Sequence, residues 1–382
     1  MKFGAFIAPY HSPDGNPTRQ LRRDLELVEH LDRLGFDEAW IGEHHSGGYE
    51  IIASPEVFIA AAAERTRRIR LGTGVNSLPY HQPLMLADRI RQLEHQTMGR
   101  VMLGAGPGQL PSDAFMMGIG PARQRDMMGE SLDALVPLLR GEVVTASTDW
   151  YELNEARLQL PPYAPGGTEI AVASTLSPAG AHHAGRHGLA LLSLAAGDPA
   201  GFATLATNWD IHEATAAEHG HTADREGWRL VTPVHLAETR EQARAEAEWG
   251  VLGLVRYIEG LSGRAMPWGA SARQALEQWT TDGFPTFGVP VIGTPEDAIA
   301  RIEQLAEKTG GFGTFLVLAL NVAEPTAALR SFELFAEYVV PHFTGANGPR
   351  AASLSWANAH SDRFIGALRQ AVDAAVAQHR GA

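Results

Sequence analysis

The sequence predicts a closed α/β barrel, and three observations support this fold. Short apolar segments alternate with amphipathic, helix-like segments along most of the chain. The apolar segments number eight, as the strands of a closed parallel barrel do. A chain of 382 residues with 45% hydrophobic content is long enough to bury such a core. An open, doubly wound sheet is the competing architecture for the same alternation.

The predicted elements follow one another as strand and helix. The predicted strands are residues 3–8, 38–42, 69–75, 100–106, 169–174, 189–194, 228–236 and 313–320. Helices are predicted over about 18–34, from Ser54–Pro55, from Pro83, over about 122–140 and from Ser177–Pro178. Ser54 and Pro55 illustrate the reasoning, because a serine N-cap followed by proline is a common helix start.

Two stretches interrupt this alternation. Residues 142–167 are expected to form an excursion before the fifth strand, whereas residues 261–290 are rich in Gly, Pro and Trp. We expect the second stretch to be irregular and to act as a mobile lid over the barrel mouth. The predicted organisation is one barrel domain over 1–343, with these two insertions, and a C-terminal helical extension over 344–382. The apolar face of that extension could cover the barrel or a second subunit.

Composition excludes several classes of function. The absence of cysteine excludes disulfides, thiolate catalysis and cysteine-ligated metals. The net charge of −13 argues against a nucleic-acid or anionic-membrane partner, since such partners favour clustered Lys and Arg. No apolar run approaches the roughly 18 residues of a membrane helix, and the N-terminus has no signal-peptide pattern. We therefore expect a cytoplasmic protein.

Polar residues follow the second predicted strand, where a barrel places its active site. The run Glu43–His44–His45 permits two interpretations. Adjacent histidines on an extended segment point to opposite sides, so we predict no metal site there. Such a pair is often only hydrogen-bonded or exposed. At a strand end, however, an imidazole can serve as a general base or as a hydrogen-bond donor to oxygen.

A second group of residues is typical of a phosphate and ring site. Ser174 and Thr175 end the fifth strand just before a helix, and a helix N-terminus binds phosphate well. A simple serine cap is the alternative. Arg123 and Arg125 could supply positive charge, or could be solvated helix-start arginines. Glycines from 104 to 108 could form tight turns, or could let a flat ring lie against the backbone.

Together these motifs resemble the bacterial-luciferase-like family of flavin-dependent monooxygenases. The resemblance covers about residues 1–343 and is carried by GFDEAWIGEHH at 35–45, IRLGTGVNSLPYHQPLMLAD at 69–88, GRVMLGAGPG at 99–108, IAVASTLSPAGAHHAGRHGLALLS at 170–193 and LAETREQA at 236–243. The segments MKFGAFIAPYH, EHHSGGYE and GVNSLPYHQP are most similar to its limonene monooxygenase branch.

The resemblance implies a TIM barrel with insertions and a defined chemistry. The family binds reduced FMN without a covalent bond and reacts it with O2 to a C4a-hydroperoxyflavin. A separate NAD(P)H:flavin reductase usually supplies FMNH2. The implied substrate is small and largely apolar, and a homodimer or higher homo-oligomer is expected. Hydroxylation, epoxidation and Baeyer–Villiger insertion all remain open.

The resemblance also assigns roles to residues of this chain. His44 corresponds to the catalytic histidine, and a non-proline cis peptide is expected at Gly74–Val75. The residues expected to bind the cofactor are Gly74, Val75, Asn76, Gly106, Arg125, Ser174 and Thr175. The residues expected in the substrate pocket are His11, His45, Tyr80, His81 and Trp268. Two departures concern the phosphate, since Pro107 replaces an arginine of luciferase and Ser174 replaces an acidic residue.

Three other functions are compatible with these observations. A deazaflavin (F420)-dependent dehydrogenase of the same fold would act on an alcohol or imine without oxygen. A flavin-binding protein without turnover would use the same ring and phosphate site. A metal-dependent barrel hydrolase would need a metal site that the spacing of histidines does not predict.

Overall fold

The computed structural model describes residues 1–8, 10–263, 265, 268, 271–284 and 287–380. Within these residues, eight parallel strands close into a barrel: β1 Lys2–Ile7, β2 Glu38–Ile41, β3 Arg70–Thr73, β4 Val101–Gly106, β5 Glu169–Ser174, β6 Ala190–Ser193, β7 Arg229–Leu236 and β8 Thr314–Ala319. Each strand pairs with the next, and β1 pairs with β8 from Lys2 opposite Thr314 to Ile7 opposite Ala319. This closure confirms the predicted barrel and excludes the open sheet.

Helices surround the strands and extend beyond them. Those in the described residues are Pro17–Leu34, Pro55–Arg65, Pro83–Gln96, Pro111–Met116, Gln124–Leu139, Ala179–His187, Pro199–Glu218, Arg240–Ala247, Val251–Ser262, Ala272–Asp282, Pro295–Thr309, Pro325–Leu334, Val340–Thr344, Gly348–Ala359 and Ser361–Arg380. The predicted cap at Ser54 is confirmed, since its side chain accepts a hydrogen bond from the Val57 amide. No helix of the described residues is long and apolar enough to cross a membrane.

A buried ion-pair network occupies the barrel interior at the amino-terminal ends of the strands. Arg229 donates to Glu38 at 2.8 Å and to Glu169 at 2.6 Å, and both Arg229 and Glu38 are fully buried. Burial alone would raise the pKa of Glu169, but Arg229 and Arg70 lower it to about 2. Residues at this end of a barrel contribute to stability, whereas the chemistry of such folds takes place at the opposite, carboxyl end.

The two insertions differ in how far they match expectation. Residues 142–167 contain an antiparallel hairpin, Val144–Ser147 paired with Glu152–Ala156. The expectation of an irregular stretch over 261–290 is wrong for its middle part, which forms the helix Ala272–Asp282. Ser271 caps this helix, and Trp279 on its inner face is fully buried. The free energy gained by burying apolar residues therefore favours a regular helix here, although the flanking sequence is rich in Gly and Pro. Several other residues of the expected lid lie outside the described residues.

The chain ends in two helices, Gly348–Ala359 and Ser361–Arg380, and neither contains a buried residue. Trp356 on the first contacts Phe364 on the second, with ring centroids 5.3 Å apart. This contact joins the two helices near the turn that connects them.

Candidate active site

A buried carboxylate, Glu43, organises the polar residues that follow β2 and β3. Asn76 Nδ2 donates to Glu43 at 2.9 Å, and the Nε2 atoms of His81 and His45 lie 3.0 and 3.1 Å from its oxygens. Arg89 donates to His81 Nδ1 at 3.0 Å, which fixes the His81 tautomer with its proton on Nε2. Burial would raise the pKa of Glu43, but these hydrogen bonds lower it. Glu43 is therefore an anionic anchor that orients several side chains.

His44 lies between two other carboxylates. Its Nδ1 is 3.3 Å from Asp113 and its Nε2 is 3.4 Å from Glu50, and only 15% of its side chain is exposed. Burial would lower the pKa of His44, but the charges of Glu50 and Asp113 raise it above the ordinary value. Asp113 also accepts hydrogen bonds from the Ser46 hydroxyl and the His45 amide. The arrangement favours the protonated form of His44, in which both ring nitrogens are hydrogen-bond donors.

Glu50 is in turn held by a group of tyrosines. The Tyr257 hydroxyl donates to one Glu50 oxygen, and burial raises the pKa of Tyr257, which therefore remains a phenol. The rings of Tyr10, Tyr49 and Tyr257 lie with centroids 4.9 to 5.7 Å apart. The second Glu50 oxygen is buried and has no hydrogen-bond partner among the described residues. This oxygen is the one closest to His44.

Glycines and a cis peptide bond shape the surface beside this cluster. The Gly74–Val75 bond is cis, as the resemblance implied. The chain then pairs with β4, where Asn76 lies opposite Ala105 and Ser77 lies opposite Gly106. A Cβ added to Gly106 would lie 2.6 Å from the Val75 side chain, so only glycine fits there. The Oδ1 atom of Asn76 is buried without a partner in the described part of the chain. The surface can therefore accept a flat ring and one hydrogen bond.

The end of β5 has the features of a phosphate site. Ser174 is buried, and Asn208 Nδ2 lies 3.4 Å from its hydroxyl and 3.1 Å from the Thr175 carbonyl. The helix Ala179–His187 starts at Pro178, which offers no side-chain cap. Thr175 is exposed just ahead of that start. The Ala179 amide donates to Ser177 Oγ at 3.3 Å, so the remaining backbone amides of the first helical turn are available for an anion.

Arg125 is near the same helix start. It makes no hydrogen bond or ion pair with other described residues, whereas Arg123 is bound by two carboxylates. Gly129 is on the helix Gln124–Leu139, and His183 is on the helix Ala179–His187. A Cβ added to Gly129 would lie 2.8 Å from His183, so these two helices are in contact about one turn after each begins. Arg125 precedes Gly129 by one turn, and Ala179 precedes His183 by one turn. Because neighbouring barrel helices run in the same direction, Arg125 and the open helix start are at the same level.

Three of the residues expected in the substrate pocket adjoin the Glu43 cluster. His45 and His81 both contact Glu43. Tyr80 packs edge-on against His45 with ring centroids 5.8 Å apart, and it accepts a hydrogen bond from Gln124 at 3.2 Å. Burial raises the pKa of Tyr80 to about 12, so its hydroxyl remains protonated.

The other two expected pocket residues have packing partners instead. His11 Nε2 lies 2.9 Å from Asp24, and both side chains are buried. Trp268 stacks on Phe284 with ring centroids 4.1 Å apart. Neither contact involves the polar cluster around Glu43 and His44, and the place of His11 and Trp268 in the substrate pocket stays a prediction.

Sequence reasoning missed the partners of His44. Asp113 lies in the first turn of the helix Pro111–Met116, where an acidic residue is usually explained by the helix dipole. Glu50 belongs to the EHHSGGYE segment that carried the resemblance, but its spacing gives no sign of its contact with His44. Tyr257 is on the helix Val251–Ser262, and its contact with Glu50 spans 207 positions of sequence. Only the folded chain brings these groups together.

The barrel places a histidine between two carboxylates at the carboxyl ends of its strands. This position and this grouping of titratable residues are typical of the active site of a barrel enzyme. A model of the luciferase-like monooxygenase family matches residues 1–311. The chain is 51% identical over 350 residues to limonene 1,2-monooxygenase of Rhodococcus erythropolis, covering 92% of this chain and 88% of the relative. It is 46% identical over 363 residues to 4-hydroxyprotoasukamycin monooxygenase of Streptomyces nodosus subsp. asukaensis, covering 93% and 96%.

A solved structure agrees with these relatives. The oxygenating constituent of 3,6-diketocamphane monooxygenase of Pseudomonas putida, a type II Baeyer–Villiger monooxygenase in complex with FMN, superposes with a TM-score of 0.72. It is 28% identical, and the match covers 89% of this chain and 98% of that one. The chain belongs to the luciferase-like monooxygenase family, and the resemblance read from its motifs is confirmed. It is an enzyme of the flavin-dependent monooxygenase class.

Proposed function

We propose that this enzyme is the oxygenating component of a two-component monooxygenase that uses reduced FMN and O2. Its FMNH2 would come from a separate NAD(P)H:flavin reductase, and its substrate would be a small, largely apolar organic molecule. The observation that carries the proposal is His44, which is held between Glu50 and Asp113 with only 15% of its side chain exposed, in a chain of the luciferase-like monooxygenase family. Because NAD(P)H-dependent reduction takes place in the cytoplasm, the proposal implies a cytoplasmic enzyme.

The residues present fit FMN. The ring would lie against Val75 and the glycine backbone around Gly106, and Asn76 Oδ1, buried without a partner among the described residues, would accept a hydrogen bond from a ring N–H. The phosphate would be held by Ser174, by the open start of the helix Ala179–His187 and by Arg125. These contacts hold the phosphate without the arginine that Pro107 replaces.

The chemistry divides between cofactor and protein. Reduced FMN supplies two electrons, so that one atom of O2 enters the substrate and the other leaves as water. His44 would donate a hydrogen bond to the reacting oxygen, with its charge maintained by Glu50 and Asp113. Glu43 would keep His45 and His81 oriented at the rim of the site. The tyrosine rings behind Glu50 would exclude water from that side.

The relatives support an apolar substrate. One relative is named for limonene and another for diketocamphane, and both are small, largely apolar molecules. A third, 4-hydroxyprotoasukamycin monooxygenase, is named for a hydroxylated substrate. A site bordered by the Tyr80 ring suits a small apolar molecule, which gains affinity chiefly by burying apolar surface. The type of oxygenation is open, since hydroxylation, epoxidation and Baeyer–Villiger insertion differ in the substrate's reacting group.

The test supplies the purified enzyme with FMN, a flavin reductase and NADH, and then offers a panel of terpenes and cyclic ketones under ¹⁸O2. The proposal expects a product that carries one ¹⁸O atom and depends on FMNH2. Turnover with reduced F420 and no oxygen uptake would show a dehydrogenase instead. Tight FMN binding without any product across the panel, with NADH oxidised to NAD+ and O2 reduced only to hydrogen peroxide, would favour a flavin-binding protein.

A further inference from the structure

The two C-terminal helices carry large apolar side chains that the described part of the chain leaves uncovered. These side chains are 40% to 64% exposed and comprise Leu354, Trp356, Phe364, Ile365, Leu368, Val372 and Val376. Neither helix buries any residue. Scattered exposed apolar residues need no explanation, but a contiguous set on adjoining helices marks an interaction surface.

The longer helix, Ser361–Arg380, presents these residues as a stripe. Phe364, Leu368, Val372 and Val376 follow one another at intervals of four, and therefore share one face. The helix has 20 residues and is about 30 Å long. A free helix of this kind gains stability by packing its apolar face against a partner.

Charged residues along one edge of the stripe indicate what that partner is. In chain order they are Asp362, Arg369, Asp373 and Arg380. Successive residues of an α-helix are rotated by 100° about its axis, so these four charged residues lie within about 40° of one another around the helix. Asp362 and Arg380 each lie nine residues from Ala371, and Arg369 and Asp373 each lie two residues from it. Reversing the helix about Ala371 therefore exchanges every acidic position with a basic one.

The apolar stripe is consistent with the same reversal. An antiparallel second copy centred at Ala371 brings Leu368 level with Ala374 of the other helix, so that a large side chain meets a small one. Ile365 then lies level with Ala377, and Val376 lies level with Gly366. Val372 lies two residues along the helix from its own counterpart, which is about 3 Å. A parallel pair would instead place this charged edge against the opposite edge of the other helix, so its acidic and basic residues would not pair with each other.

We propose that the helix Ser361–Arg380 is a dimerisation surface that binds the same helix of a second copy of this chain, antiparallel and centred at Ala371. The contact is isologous, since a two-fold axis at that point relates the two copies. Asp362 of each copy pairs with Arg380 of the other, and Arg369 pairs with Asp373. This surface is separate from the barrel mouth and does not depend on the proposed function.

A single cysteine tests the geometry, because the chain has none of its own. In the proposed dimer, the cysteine of Val372→Cys lies beside its own copy, so oxidation of the full-length protein should give a dimer on a denaturing gel. Ser361→Cys is the control on the same face, since its two copies lie about 30 Å apart and should not cross-link. Cross-linking of both variants, or of neither, would overturn the proposed register.

Charge reversal tests the pairing. Asp362 and Arg380 are about 27 Å apart within one helix, so they can pair only between two chains. Asp362→Arg alone and Arg380→Asp alone should each raise the dimer dissociation constant by roughly three- to tenfold, measured by analytical ultracentrifugation. The double variant should restore the parent value. No rescue in the double variant would refute the pairing.

An apolar-to-charged change tests whether the face is used at all. Leu368→Asp should shift the mass towards half that of the parent assembly while leaving turnover per chain unchanged. If Leu368→Asp keeps the parent mass and Val372→Cys does not cross-link, the face packs on the chain's own barrel or on another protein, and the proposal is wrong.

Discussion

Replacing His44 is the most direct test of the chemistry, because its two carboxylate contacts define it as a charged donor. Loss of a positioned acid or base typically costs roughly 10²–10⁴-fold in rate. The upper half of that range is expected, since only 15% of the His44 side chain is exposed and water screens its charge weakly. We therefore predict that His44→Ala lowers the rate of product formation by roughly 10³–10⁴-fold, or about 4–5 kcal/mol of transition-state stabilisation.

The assay separates oxygenation from flavin binding. Product carrying ¹⁸O and released peroxide are measured at saturating FMNH2, and FMN affinity is measured by fluorescence titration. FMN affinity should be nearly unchanged, because Ser174 and Arg125, and not His44, are the proposed phosphate ligands. His44→Gln is the matched variant that keeps a donor but no charge. Equal coupling of oxygen to product in the parent and in His44→Ala would remove this residue from the mechanism.

The same residue gives stability a defined dependence on pH. The pKa of His44 in the folded state lies above its ordinary value of 6.5, so the protonated ring stabilises the fold. This contribution is complete below pH 6.5 and is lost as the pH rises through the folded-state pKa. The Tm difference between the parent and His44→Gln should therefore shrink from pH 6 to pH 9. A difference that grows over this interval would contradict the raised pKa.

Three further predictions test the surroundings of the site. Arg125→Ala should raise the Kd for FMN by roughly 10- to 100-fold and leave riboflavin binding unchanged. Equal losses for the two ligands would exclude a phosphate contact. Tyr257→Phe removes the donor to Glu50 and should lower kcat by at least about tenfold with FMN affinity retained; an unchanged kcat would limit Tyr257 to packing. Trp279→Ala should cost about 3–5 kcal/mol in urea unfolding, whereas the control Trp249→Ala, at a site that is 58% exposed, should change stability by less than about 0.5 kcal/mol. Similar losses for both would mean that the helix Ala272–Asp282 is not part of the core.

The barrel was predictable because its strands are nearly continuous apolar runs with helices between them. A parallel strand buried on both faces leaves this signature locally, and a closed barrel then determines which strand ends meet. The run Glu43–His44–His45 and the Gly74–Val75 segment could therefore be assigned to one site from spacing alone. Their contacts with each other, such as Asn76 to Glu43, follow from that topology.

The lid expectation shows where local composition misleads. Gly, Pro and Trp are frequent over residues 261–290, yet Leu276 and Trp279 are buried on the inner face of a regular helix. Trp279 Nε1 also donates to the Gly288 carbonyl at 2.8 Å, which ties the helix to the turn that follows it. Tertiary packing thus overrides weak local propensity.

Residues that raise the pKa of His44, directly or by holding Glu50, lie on helices that are additional to the eight strand-and-helix units of the barrel. Asp113 belongs to a short helix between β4 and the helix Gln124–Leu139, and Tyr257 belongs to an extra helix after β7. The barrel itself supplies the glycine surface and the proposed phosphate site. The two parts can therefore change independently. Substitutions in the extra helices should alter coupling of oxygen to product without altering FMN affinity, whereas substitutions at the strand ends near Gly106 and Ser174 should alter FMN affinity first.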